Sequence, residues 1–338
     1  MYRDRENISL KAFNSFGIDV KAAVFIEFDN REELIQNLKL PVDICFQRFV
    51  LGGGSNLLFT KNFEGIIYYP KIKGIEILNK DKDFIELRVG AGEVWDDFVR
   101  FCVDNEYYGI ENLSLIPGNV GASPVQNIGA FGVEIKDFIY KVETVEINTG
   151  KIIEFSNSDC DFSYRHSFFK LSENQNRFIV THVVFRLLKK AAFITHYGNV
   201  DDEIKNEKEI NLQTIRDAIV RIRNRKLPDP KELGNAGSFF KNPVVSSKIA
   251  EKIKAEFPNM PFFPAEDNNI KLAAGWLIDQ CGWKGKRNGD AGVHDKQALV
   301  IVNYGKASGN DILRLSQEIK ISVESRFDII LEPEVNIL

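Results

Sequence analysis

Three features of this 338-residue chain have residue types and spacings that could do chemistry. Gly52-Gly53-Gly54-Ser55-Asn56 follows the apolar run Arg48-Phe49-Val50-Leu51. At the end of a strand, such a run lets bare backbone N–H groups approach a phosphate closely. It is no dinucleotide fingerprint, because Leu57 stands where the third glycine is needed, and no Gly-Lys-Ser/Thr follows to make a P-loop. Alone, a glycine triplet is most often a tight turn.

The second feature is residues 109–132, GIENLSLIPGNVGASPVQNIGAFG, where Glu111 is the single charged residue. Ordinary surface loops are polar. This stretch suits backbone lying against a large, flat, partly apolar cofactor. Pro117-Gly118 and Ser123-Pro124 would set turns, while Gln126 and Asn127 offer amide groups to ring heteroatoms. The plain alternative is a turn-rich core connection. The third feature is Ser238, one hydroxyl between Gly237 and the pair Phe239-Phe240. No neighbouring histidine marks it as a nucleophile, and a lone serine is usually structural. Arg165, in Ser163-Tyr164-Arg165-His166-Ser167, and Glu334, just after an apolar run, read by themselves as an ion-pair partner and a solvated terminal charge.

The elements that must position these groups follow from the hydrophobic pattern. Residues 29–34 resemble a capped helix start with acidic residues in the first turn. Residues 48–51, 66–69, 75–78 and 84–89 read as strands, and 94–103 repeats apolar residues at helical spacing. A hairpin is expected over 142–155 around Asn148-Thr149-Gly150, a strand over 177–188, and a polar connection over 190–201. Ile215, Ile219 and Ile222 predict a helix over 212–225, stopped at Leu227-Pro228-Asp229-Pro230, a plausible domain boundary. Beyond it, helices over 247–257, 273–281 and 310–327 and a strand over 298–302 make an α+β segment, and a last strand over 329–331 closes the chain.

Hydrophobic residues at 44% and charged residues at 27% describe a folded globular chain with ample core. Lys+Arg 44 against Asp+Glu 48 gives a formal net charge of −4, which argues against nucleic acid or an anionic membrane as partner. The average hides a basic stretch: residues 214–226 carry Arg216, Arg221, Arg223, Arg225 and Lys226 against Asp217 alone. Cys45, Cys102, Cys160 and Cys281 lie far apart, so free thiols are expected and a metal centre is not. Met1-Tyr2-Arg3-Asp4-Arg5-Glu6 is charged, with no apolar run behind it and no segment near the ~20 apolar residues of a membrane span. A cytoplasmic location and a monomer are the expectation.

Several of these segments together resemble the UDP-N-acetylenolpyruvoylglucosamine reductase (UDP-N-acetylmuramate dehydrogenase) family. VLGGGSNLL at 50–58 and IPGNVGASPVQNIGAFG at 116–132 look like its two flavin-binding signatures. SYRHS at 163–167, RNRKLPDP at 223–230, GNAGSFFKNPVV at 234–245, AAGWLIDQCG at 273–282 and LEPEV at 331–335 follow in family order. The resemblance runs from Phe13-Asn14-Ser15-Phe16-Gly17 nearly to the C-terminus. It implies an α+β fold, with a two-part FAD-binding region of the vanillyl-alcohol-oxidase type and a C-terminal α+β substrate domain. The implied parts are FAD-binding subdomains at 1–72 and 73–227, a substrate domain at 228–328, and a C-terminal strand at 329–338 returning to the active site.

The implied activity is NADPH-dependent reduction of an enolpyruvyl ether on a UDP-sugar through non-covalently bound FAD. Gly52, Gly53, Gly54, Ser55 and Asn56 would bind the cofactor, as would Pro117, Gly118, Gly121, Ala122, Gln126, Asn127, Gly129, Gly132 and Arg223. Ser238 becomes the general acid, and Arg165 and Glu334 face the enolpyruvyl group. Tyr197 and Lys226 resemble the residues that grip the diphosphate, Asn242 holds the substrate, and Gln297 meets the nucleotide half. The loop carrying Tyr197 suggests the longer subclass of the family. Asn336 stands where family members commonly carry arginine. An FAD-linked sugar or alcohol oxidase of the same superfamily is the alternative activity, and a non-catalytic FAD-binding protein the third reading.

Overall fold

Strand Phe178–Leu188 is buried along nearly its whole length, because alternate residues supply the cores on both faces of the sheet it centres. It lies in a five-stranded antiparallel sheet ordered Ile152–Ser156, Ile139–Glu146, Phe178–Leu188, Phe84–Gly90, Ile75–Lys80. The computed structural model describes residues 4–39 and 47–338. Cys45 and the first three residues lie outside them; Cys102, Cys160 and Cys281 are free cysteines.

Helix Trp95–Asp104 buries Trp95, Phe98, Val99 and Cys102 against one face of this sheet, at the i, i+3, i+4, i+7 spacing its sequence displays. The Trp95 indole N–H donates to the Leu113 carbonyl at 2.8 Å, tying the helix to the charge-poor 109–132 stretch. A second, four-stranded sheet is ordered Asp4–Ser9, Lys21–Phe28, Phe63–Pro70, Gln47–Val50, and its last two strands run parallel. Helix Arg31–Asn37 begins where Asn30 accepts the Glu33 N–H, as the sequence predicts.

By its contacts the chain forms two compact units. The first comprises residues through Ile8, Lys21–Gly53 and Glu64–Arg225; the second comprises Ser9–Val20, Gly54–Phe63 and Lys226–Leu338. Two stretches within 1–72 therefore belong with the C-terminal part of the chain. Backbone bonds explain this: the Asn235 N–H donates to the Ser15 carbonyl and the Thr60 N–H to the Leu338 carbonyl. Gly309 lets a helix start pass against the Phe59 carbonyl, where a side chain would collide.

In the second unit, strands Gly234–Ser238, Val300–Asn303, Ala291–Val293 and Arg287–Asn288 form one sheet, and Val244–Ser246, Asn269–Leu272 and Phe262–Pro264 another. Helix Gly309–Phe327 starts in a reciprocal capping box between Ser308 and Asp311 and buries Ile312, Leu315, Ile319, Val323 and Phe327. The short strands around Phe262, Ala291 and Arg287 escaped sequence reading, since pieces this brief show no period.

The strand expected over 329–331 does not form. Ile329 and Leu331 are buried and Ile330 exposed, the alternation of a strand, but their backbone joins no ladder. The C-terminal strand is Asn336–Ile337, parallel to Leu57–Leu58.

One buried charge cluster makes the first unit acid-sensitive. Glu143 pairs with Arg31 and with Arg88 (2.9 Å), near Lys141 and the His182 ring, with Glu76 on the far side of Arg88. Burial alone would raise its pKa, but the Arg88 and Arg31 hydrogen bonds outweigh that and hold it at about 2. Burial, aided by the charge of Arg88, pulls His182 down to about 4. The unfolded chain protonates a histidine near ~6.5. Stability therefore falls as pH drops from ~6.5 to 4 through His182, and again from ~4.3 toward 2 as Glu143 loses its charge. Urea midpoints measured at several pH values should show both declines, and His182→Gln should remove part of the first. A midpoint with the same pH dependence in that variant would rule out the assignment.

Candidate active site

The two glycine-rich segments, whose Gly53 and Gly118 are 65 positions apart, meet through bare backbone. A Cβ built on Gly53 would lie 2.7 Å from Gly118 Cα and 2.9 Å from Asn119 Oδ1. The Gly52 equivalent stops 3.4 Å from Ala122 Cβ, and that of Gly121 lies 2.6 Å from Ala91 Cβ. Backbone bonds hold the second segment: Trp95 N–H to Gly118 O, Val120 N–H to Glu93 O, Gly121 N–H to Ala91 O. Among the described residues the N–H groups of Gly52, Gly53, Gly54 and Gly118 donate to no other part of the chain. Such a set of unengaged donors suits a diphosphate.

Asn127 departs from expectation. Its side chain is fully buried, its Nδ2 donates to Glu134 Oε2 (3.0 Å) and the Ser163 carbonyl (2.9 Å), and its Oδ1 accepts the Lys136 N–H. That amide is taken up inside the protein and does not point to a ring heteroatom. Its role is to support the turn carrying Arg165.

Arg165 sits at φ +54° in a tight turn where Ser163 and His166 exchange both backbone bonds. Its guanidinium donates to the Gly129 carbonyl at 2.7 Å, and its Nη1 lies near where a Gly129 side chain would stand. The sequence places these groups 36 residues apart; the turn brings the cation onto the glycine segment. Leu115 is also in the left-handed region (φ +60°), its N–H held by Asp96. Non-glycine residues held there cluster at functional sites.

The basic stretch is not what its sequence suggests. Arg216, only 4% exposed, pairs with both Asp96 oxygens (2.8 and 2.7 Å). Arg221 pairs with Glu203 (2.8 Å) and Glu207 (3.1 Å), and Arg225 with Glu203. Residues from elsewhere thus neutralise three of the five cations. Arg223 remains, with no hydrogen-bond partner for its buried Nε; burial pulls its guanidinium down to about 10, opposed by Asp96. Lys226 is exposed and makes no ion pair among the described residues.

Tyr197 packs its ring on Gly132, and the His196 ring lies tilted against it with centroids 4.5 Å apart. Arg165, Tyr197 and the 117–132 segment all belong to the first unit.

Ser238, Glu334, Asn242, Gln297, Ser55 and Asn56 belong to the second unit. The strand carrying Ser238 has a register shift between Asn235 and Ser238, where Gly237 takes φ +68° and donates its N–H to Asn235 Oδ1. Such a bulge re-aims the side chain that follows. Phe239 N–H donates to Leu299 O, which fixes the chain just beyond the serine. Among the described residues no hydrogen bond engages the Ser238 hydroxyl.

Residues 332–334 run along 239–241: Lys241 N–H donates to Glu332 O, Glu334 N–H to Phe239 O (2.8 Å), and Phe240 bridges Pro333. The chain's end thereby sets Glu334 against the residue after Ser238. Asn56 Nδ2 donates to the Glu334 carbonyl at 3.2 Å. Asn336 donates both its backbone and side-chain N–H to the Asn56 carbonyl. This position pins the tail to the glycine loop's end and presents no cation. Asn242 Oδ1 accepts the Ala274 N–H at the start of helix Ala274–Gln280, which leaves its NH₂ as a donor. Gln297 Oε1 lies over Gly275 of the same helix, so two residues 55 positions apart converge at one helix end.

Among the described residues no cluster of His, Cys, Asp or Glu could hold a metal ion, and no helix is long and apolar enough to cross a membrane. Cys160 is pushed up to about 12 by burial.

Comparison with known proteins places these segments in context. Residues 229–338 match the model for the UDP-N-acetylenolpyruvoylglucosamine reductase C-terminal domain, and residues 22–156 that of an FAD binding domain. UDP-N-acetylenolpyruvoylglucosamine reductase of Bacteroides fragilis (strain YCH46) is 49% identical over 98% of this chain and 99% of its own length. The Flavobacterium johnsoniae protein of the same name is 47% identical, covering 99% of each chain. The crystal structure of UDP-N-acetylenolpyruvylglucosamine reductase from Thermus caldophilus superposes with a TM-score of 0.68 at 24% identity, covering 100% of this chain and 99% of that one, a likeness of fold.

Proposed function

Since the chain belongs to the UDP-N-acetylenolpyruvoylglucosamine reductase family and is an FAD-binding oxidoreductase of peptidoglycan precursor synthesis, we propose how its own residues divide the work. The residues fit the cofactor: Gly52, Gly53 and Gly118 expose unengaged N–H donors, Gly53 passes Gly118 too closely for a side chain, and Arg223 carries a half-buried positive charge with an orphaned, buried Nε. These groups would hold the FAD diphosphate non-covalently. The chemistry that bound FAD would supply is hydride transfer from NADPH to the β-carbon of the enolpyruvyl ether.

Hydride addition there places negative charge on the substrate carboxylate. Arg165 stabilises that charge through a paired hydrogen bond, Glu334 shares a proton with it, and Ser238 donates a proton to the α-carbon. Tyr197 and Lys226 grip the diphosphate, Asn242 donates its NH₂ to the substrate, and Gln297 meets the nucleotide half. No dinucleotide fingerprint stands anywhere in the chain, which fits NADPH and the UDP-sugar using one site in turn. Residues 1–72, apart from the stretches 9–20 and 54–63 that belong to the second unit, and residues 73–227 would form the FAD-binding parts, 228–328 the substrate domain, and 329–338 the returning tail. The enzyme acts on small molecules in the cytoplasm as a monomer of the Tyr-loop subclass, without nucleic acid or membrane.

The observation that supports the catalytic assignment is the pairing of 332–334 along 239–241, which joins Glu334 to the chain just beyond Ser238. The purified protein should be yellow and release intact FAD on denaturation. Anaerobic NADPH should bleach it, and the UDP-enolpyruvyl sugar should then restore the colour without oxygen. Recolouring by oxygen but not by the sugar would instead favour an oxidase. A colourless preparation that FAD cannot reconstitute would exclude both.

A further inference from the structure

One buried amide holds two loops of the first unit together. Asn112 is 1% exposed, and its Nδ2 donates to the Phe131 carbonyl (2.9 Å) and to the Ile194 carbonyl (2.7 Å), while its Oδ1 has no partner. Leaving a buried oxygen unpaired is costly. The site tolerates that cost to keep both donors of one side chain on two carbonyls.

The loops joined this way also interlock. The Tyr197 ring covers Gly132, and the Phe131 ring covers Gly198, where an added Cβ would lie 2.6 Å from its Cδ1. Gly132 and Gly198 are at φ +81° and +67°, so both the space and the backbone demand glycine. Phe131 and Phe193 further pack on the cluster of Val200, Ile204, Ile215 and Ile219.

We infer that Asn112 is the positioning residue for Tyr197, setting the substrate-gripping loop against the end of the flavin segment. The inference rests on the reading of Tyr197 as a diphosphate contact. Phe131-Gly132 ends the flavin segment and Ile194 begins the Tyr197 loop, so the shared amide fixes the distance between cofactor and substrate loops. Asn112→Asp replaces the donors with acceptors facing two carbonyl oxygens, at nearly unchanged volume. Gly198→Ala opens the interlock from the other side without touching the amide.

Both variants should be tested as FAD-loaded enzyme. The KM for the UDP-enolpyruvyl sugar should rise roughly tenfold or more, as expected when two buried hydrogen bonds are lost. Flavin content and the rate of bleaching at saturating NADPH should stay within about twofold of wild type, because the flavin segment keeps its other anchors. Chymotrypsin should cut after Phe193 or Tyr197 faster than in wild type. If Asn112→Asp fails to hold FAD, Gly198→Ala decides alone. Tyr197→Phe separates the two claims. Should it leave the sugar KM unchanged, the reading of Tyr197 is wrong and the inference falls with it. Should it raise KM while Asn112→Asp and Gly198→Ala keep wild-type KM and cleavage, only the positioning role is overturned.

Discussion

Ser238→Ala is expected to bleach normally with NADPH but to recolour with the UDP-enolpyruvyl sugar ~10²-fold more slowly or worse, the loss typical of a missing general acid. The backbone explains why this variant is clean. Gly237 is locked by Asn235 Oδ1 and Phe239 by Leu299 O, so exchanging hydroxyl for hydrogen leaves the chain where it was. Phe239 and Phe240 beyond it are 0% and 1% exposed, which holds the strand end in the core. Bleaching by NADPH involves no proton donation to an α-carbon, so only the second half-reaction should suffer. Stopped-flow absorbance of the flavin separates the two. Equal slowing of both, or of neither, would remove Ser238 from the proton-donor role.

Gly53→Val should lose the cofactor itself. Its Cβ would enter space held by Gly118 Cα, 2.7 Å away, and neither backbone can yield without moving the Trp95 and Val120 bonds beneath it. FAD affinity should fall about 10²-fold or more, on the scale of an overpacked, displaced binding loop. Flavin retained per chain after gel filtration measures this, with far-ultraviolet circular dichroism to confirm that the variant folds. Gly52→Ala serves as comparison, because its added Cβ stops at 3.4 Å from Ala122. A folded Gly53→Val that keeps a full complement of FAD would show that the close approach does not shape the site.

Much of the site was legible before folding. The two glycine segments, Ser238 beside two phenylalanines, and the helices 95–104, 212–226 and 309–327 follow from residue type and spacing over a few turns. The Asn30 cap and the hairpin at Asn148-Thr149-Gly150 are local too. Recognition of the family rested on the order of such segments, and the relatives support it at 44–49% identity.

Where sequence reading fell short, a distant partner decided. The expected strand over 329–331 lacks a neighbour for its backbone; pairing begins only where 332–334 meet 239–241. Asn127 looked like a ligand amide, yet Glu134, Ser163 and Lys136 engage it fully. Asn112 drew no notice, because an asparagine in a loop ordinarily reads as a turn residue. Its single available signal was its place beside Glu111 in an otherwise uncharged stretch.

By itself the sequence determined which residues are present, the local elements they form and the family to which their order belongs, since each depends on near neighbours along the chain. Only the tertiary structure decided what those residues face. It brings Asp96, Glu203 and Glu207 onto three of the five cations of residues 214–226, leaving the half-buried Arg223 and the exposed Lys226 to carry the positive charge. Charge and hydrogen bonding act through space, between groups 120 residues apart at Arg216 and Asp96 and 280 apart at Asn336 and Asn56, and no spacing in one strand of sequence records which of them will meet.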